Sequence, residues 1–143
     1  PAREVIFEQS KTSGNAVWEK DRSLFLDKIL SKSIDNFINS SDSAVTFLDR
    51  GIPDTIAYAT FGDIDYKRFL ENSQNLKYNQ KVFLLSPWEE IYKTDNERKM
   101  SFADSLKFHE DIVHAYKTLG YELVLVPNTS ILKRVQFVKD QID

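Results

Sequence analysis

Three short apolar runs constrain this chain most. Ala44-Val45-Thr46-Phe47-Leu48, Lys81-Val82-Phe83-Leu84-Leu85 and Tyr121-Glu122-Leu123-Val124-Leu125-Val126 are each too short for a core helix and rich in β-branched and aromatic residues. Nearly continuous apolar runs of this length predict strands covered on both faces. Each stops abruptly, at Asp49-Arg50-Gly51, at Ser86-Pro87 and at Pro127-Asn128. Helical patterns separate them. Apolar spacing predicts a helix from about Ala16 to Asn39, with Leu26, Ile29, Leu30, Ser33 and Phe37 along it. Short helices are expected from Asp54, as N-cap, to Phe61, and from Tyr66 to Leu76. Ser101, with Asp104 at the capping-box position, opens a strong helix that Gly120 ends. Its predicted apolar face is Phe102, Leu106, His109, Val113 and Tyr116. A last helix carries Ile131, Val135, Val138 and Ile142 on one face. Residues 1–9 read as a strand end or a helix.

Strands alternating with helices imply an α/β fold with a parallel sheet. Ligands then bind beyond the carboxyl ends of the strands, so the three strand ends are expected to line one crevice. The 143 residues fit a single domain spanning 1–143. With 41% hydrophobic and 13% aromatic residues, a core can form without disulfides. There is no cysteine, which excludes thiolate metal sites and thiol nucleophiles and fits a reducing, cytoplasmic setting. Nineteen basic against 22 acidic residues give a net charge of −3, no footprint for non-specific nucleic-acid binding. No apolar run reaches the length of a membrane span.

Asp49-Arg50 is the first constellation with chemical content. A carboxylate fixed at a strand end can hold magnesium, usually through water. The adjacent arginine can grip a phosphate through two parallel hydrogen bonds. Against this stands a plain alternative, in which Asp49 caps the next turn and Arg50 makes a surface pair. Glu97-Arg98-Lys99 is the second: two cations on a polar segment that could close over phosphates and neutralise charge, or simply a solvated loop. The third is Arg3, a cation that could reach a substrate anion if it follows a strand, or simply a surface residue. His109 reads as a packed histidine, and no histidine–carboxylate spacing marks a zinc site. No Gly-x-x-x-x-Gly-Lys-Ser/Thr loop and no dinucleotide fingerprint occurs.

Taken together, Thr46-Phe47-Leu48-Asp49-Arg50-Gly51-Ile52-Pro53-Asp54, the stretch from Ser86-Pro87-Trp88 to Glu97-Arg98-Lys99, and Gly120-Tyr121 followed by Val126-Pro127 resemble small bacterial P-loop proteins of the AAA-type predicted ATPase family. Those proteins are built like nucleoside and nucleotide kinases. The resemblance covers nearly the whole chain and implies a three-layer P-loop domain. It also implies that the opening strands and the Walker A loop are absent here, because the sequence begins where a second strand would just have ended. In this family's terms Asp49 is similar to the Walker B carboxylate on magnesium. Arg50 matches the arginine that holds the acceptor or transferring phosphate, and Asp54 an acceptor-site contact. Arg98 and Lys99 match lid cations in a segment of about 88–100, Asn128 a residue near the nucleotide base, and Arg3 an acceptor-site residue. ATP and Mg2+ are the implied cofactors. The implied partners are a nucleotide and a small-molecule phosphate acceptor, and an exposed sheet edge would permit a homodimer.

Two other classes compete. A non-catalytic interaction module on the same fold is the first. An aspartyl-phosphate enzyme or receiver using Asp49 is the second, but Gly51 stands where a dehalogenase-like protein needs a second aspartate, and no lysine follows the third strand.

Overall fold

The computed structural model describes residues 1–41, 43–95 and 98–142. Within them lie six α-helices, one short 3-10 turn and a two-stranded parallel sheet, so the fold is α/β. The chain divides into two compact units, Pro1–Lys77 and Tyr78–Asp143. No helix among the described residues is long and apolar enough to cross a membrane.

The first unit is helical. Helix α1, Ala2–Thr12, buries Val5 and ends on Ser13, whose left-handed φ of 52° closes the turn. The start of α2, Arg22–Ile38, is fixed by Asp21, which accepts the Leu24 N–H at 2.9 Å. The expected helix began at Ala16. Its first turns are instead a compact corner that carries Trp18 against Phe25, Tyr58 and Phe61, with ring centroids 5.9–6.3 Å apart. Such tilted aromatic contacts add to what area burial alone provides. Phe25, Leu26 and Ile29 form the buried stripe of α2. Glu8 and Lys32 join α1 to α2 at 2.8 Å. Helices α3, Pro53–Phe61, and α4, Lys67–Asn75, complete the unit, and Ile52, Thr55 and Phe69 lie at its centre.

The first predicted strand does not form. Residues 44–48 form no strand and pair with no strand among the described residues, and Val45 is 69% and Phe47 61% exposed. An apolar run supplies strand propensity, yet a strand exists only where a neighbour accepts its backbone hydrogen bonds.

The second unit contains the sheet. Strand β1, Lys81–Leu84, pairs in parallel with β2, Glu122–Leu125, placing Lys81 opposite Glu122 and Leu84 opposite Leu125. Helix α5, Phe102–Thr118, is the crossover. Ser101 Oγ accepts the Asp104 N–H at 3.1 Å and donates to Asp104 Oδ2 at 2.8 Å, as the capping pattern predicts. The buried face of α5 is Phe108, Ile112, Ala115 and Tyr116, so the predicted face through Leu106 and Val113 is rotated by part of a turn; Leu106 is 45% exposed. Gly120, at φ 84°, makes the turn into β2, a conformation that a side chain would strain. Helix α6, Ile131–Ile142, has no buried residue, and of its predicted apolar face Ile131, Val135 and Ile142 are exposed, Ile131 at 70%, while Val138 is half-buried.

Candidate functional site

Arg3, Asp49, Arg50 and Asp54 belong to the first unit. The chain leaves the exposed 44–48 segment at Asp49, itself exposed and without a side-chain hydrogen bond among the described residues. Arg50 follows in the left-handed region, at φ 74°. That conformation costs a residue with a side chain about 1–2 kcal/mol, so neighbouring contacts must hold it there.

Asp54 provides them. It lies in the first turn of α3, one residue after Pro53, not at the N-cap as the sequence suggested. Pro53 sits where its missing N–H has no intrahelical partner to lose. Asp54 is 2% exposed and uses both carboxylate oxygens. Oδ1 accepts from Arg50 Nη1 and Oδ2 from the Gly51 N–H, each at 2.9 Å. The carboxylate also lies at the positive end of the α3 dipole. Thr55 Oγ1 donates to the Ile52 carbonyl at 2.5 Å, tightening the same turn. The whole segment Ile52–Ala57 is buried.

Arg50 is thereby fixed at its root while its side chain stays 47% exposed. Desolvation works against its charge, but Asp54, Tyr58 and Asp49 outweigh it and hold the guanidinium above its ordinary range. Nη1 of that guanidinium is held by Asp54. Arg3 is exposed in the first turn of α1.

Arg98, Lys99 and Asn128 belong to the second unit. Asn128 is exposed in the turn after β2, and Lys99 is exposed beside Arg98. Arg98 is tied at two levels. Its backbone N–H donates to Asp95 Oδ1 at 2.7 Å, and its carbonyl accepts the Asp95 N–H at 3.1 Å. Its guanidinium lies over the Tyr92 ring, 5.8 Å from the centroid. Glu97, named with Arg98 in the sequence reading, lies outside the described residues. Tyr92 and Asp95 escaped that reading because a tyrosine four residues after a tryptophan carries no motif signal. Ser86, at the end of β1, approaches His109 Nε2 of α5 to 3.5 Å, the limit of a hydrogen bond. The packed reading of His109 accords with its half-buried position.

No group of three or more His, Asp or Glu side chains is placed to hold a metal ion among the described residues. A single exposed carboxylate still fits magnesium, which commonly takes one or two protein carboxylates and completes its shell with water and phosphate oxygens. Asp49 offers that.

Comparison with known proteins returns one result. A family model described as AAA domain matches residues 1–134. No curated protein and no solved structure matches the chain. The matched span includes Arg3, the Asp49–Asp54 turn, Arg98, Lys99 and Asn128, so the chain belongs to the AAA-domain family of P-loop NTPases, whose common property is nucleotide binding.

Proposed function

We propose that this domain works in magnesium-dependent ATP chemistry, either hydrolysis or kinase-like transfer to a small phosphate or hydroxyl acceptor. The observation that carries the reading is the Asp49–Asp54 turn. It spends backbone strain and a buried carboxylate to hold a half-exposed arginine beside an exposed aspartate. In phosphoryl transfer the protein contributes positioning and charge neutralisation rather than covalent chemistry, and this turn suits that role.

In this reading Arg50 grips a phosphate, Arg98 and Lys99 neutralise charge from the 88–100 segment, Asn128 lies near the base, and Arg3 contacts the acceptor. Asp49 would hold the magnesium ion, which supplies charge neutralisation at the phosphates. Asp54 acts through Arg50, since both its oxygens are engaged. The reading takes residues 1–143 as one three-layer domain. It also requires a phosphate-cradling backbone from outside these residues, because none of the 143 forms the Walker A pattern. A cytoplasmic setting follows from the need for ATP.

Calorimetric titration with ATP, with and without magnesium, on the protein that includes such a phosphate cradle, tests the proposal. Binding should require magnesium, and Arg50→Ala should weaken it at least about tenfold, the worth of a charge-assisted hydrogen bond. Absence of magnesium-dependent binding would sink the idea. A phosphate-transfer assay on nucleosides, with free-phosphate release alongside, separates transfer from hydrolysis.

A second reading is favoured by the bare face of α6, where Ile131 is 70% and Leu132 83% exposed. It makes this domain a non-catalytic module that pairs with a second copy of itself. Sedimentation decides it: a monomer at all concentrations removes this reading.

A further inference from the structure

Between the 3-10 turn at Glu89–Ile91 and helix α5, two described residues outside the proposed phosphate contacts, Tyr92 and Asp95, make contacts that bear on Arg98. Tyr92 is anchored at both ends. Its hydroxyl donates to the Met100 carbonyl at 2.8 Å and lies 3.3 Å from that of Ser101. Its ring meets Phe102 edge-on, with centroids 5.3 Å apart. Phe102 is the first residue of α5, directly after the Ser101 cap, so the ring is tied to the start of a well-formed helix. Asp95 makes a two-bond link to the backbone of Arg98. The guanidinium of Arg98 takes no part in that link. It rests over the Tyr92 face.

Backbone and side chain of Arg98 are therefore held by different residues with different strengths. The Asp95 link uses backbone atoms and survives any rotation of the side chain. The ring contact is a cation–π interaction at an exposed site, which a phosphate oxygen can replace. We infer that Asp95 is a positioning residue that sets where Arg98 starts, while Tyr92 is a parking place that competes with phosphate for the guanidinium. The inference deepens the proposed function and rests on Arg98 being a phosphate cation.

The two roles predict effects of opposite sign on anion affinity. Asp95→Ala removes the side-chain half of the Asp95 link, the hydrogen bond that Oδ1 accepts from the Arg98 N–H, and should weaken binding of inorganic tripolyphosphate about two- to tenfold. Tyr92→Leu removes the competitor and should tighten it about two- to fivefold. Tyr92→Phe keeps the ring and should stay near wild type. A merely structural role would weaken binding in both Asp95→Ala and Tyr92→Leu, and that result overturns the inference.

Limited trypsin digestion gives a test that needs no ligand. Cleavage after Arg98 should speed up about two- to tenfold in Asp95→Ala and Tyr92→Leu, relative to cleavage after Lys107 within α5, which reports global opening. Unchanged relative rates in both variants would refute the clasp. If Arg98→Ala leaves tripolyphosphate binding unchanged, the phosphate role of Arg98 fails, while the digestion still decides whether the clasp exists.

Discussion

Arg50 and Arg98 are both exposed cations after a chain turn, yet they are secured in opposite ways. Arg50 is held through its guanidinium by a buried carboxylate, on a backbone that would otherwise avoid its conformation. Arg98 is held through its backbone, and its guanidinium rests on a ring that it can leave. The first arrangement fixes the charge at the expense of fold stability. The second fixes the attachment point and leaves the charge to move.

The largest way to break this contrast is Asp54→Ala. It strips the buried carboxylate from Arg50 and leaves the Gly51 N–H unsatisfied in the interior. Urea denaturation should show a loss of about 2–3 kcal/mol. Next comes the backbone term. Arg50→Gly and Arg50→Ala both delete the guanidinium, but only glycine relaxes the left-handed residue. Arg50→Gly should be the more stable by about 1 kcal/mol, and equal stabilities would mean the conformation is not strained. Arg98→Ala, in contrast, should shift the denaturation midpoint by less than about 0.5 kcal/mol, because the side chain is exposed and its backbone link persists.

The smallest effect concerns pH. Glu8 is lowered from its ordinary value mainly by its hydrogen bond to Lys32, despite desolvation acting the other way, and Lys32 is raised in return. A depressed carboxyl contributes stability above its unfolded value, near 4.5, and loses it as pH falls through the lower folded value. Glu8→Gln should therefore lower stability slightly at neutrality, converge with wild type in acid and flatten the profile below pH 4.5, as thermal melts across that range would show. The pair is exposed, so salt should shrink the effect.

The parts of this molecule legible in its sequence are those with local causes. Ser101 and Asp104 mark the start of α5 because a cap is a contact across three residues. Proline and glycine mark the ends of α3 and α5 in the same way. β1 and β2 were legible because each finds the other as neighbour. Ala44–Leu48 has the same composition and no neighbour, and composition alone does not reveal which run will be paired. The rotated face of α5 has a similar origin. Leu106 and Phe108 are both apolar, and the packing partner decides which one is buried. At the site, the strand-end turn was readable, but the engagement of Asp54 was not. A carboxylate three residues after an arginine-glycine pair looks the same on paper whether it faces a ligand or, as here, closes back on its own chain.

The parallel register of β1 on β2 has a consequence in time. The Gln80 side-chain amide meets the Gly120 carbonyl, residues separated by forty positions. At about 5–20 residues per second of synthesis, β1 waits roughly 2–8 seconds for its partner to be made. During that interval Val82, Phe83 and Leu84 have no β2 to pair with. Parallel pairing of distant segments is slow to form even after synthesis. The nascent chain therefore passes through a window in which its sheet-forming residues are open to chaperones or to a neighbouring chain.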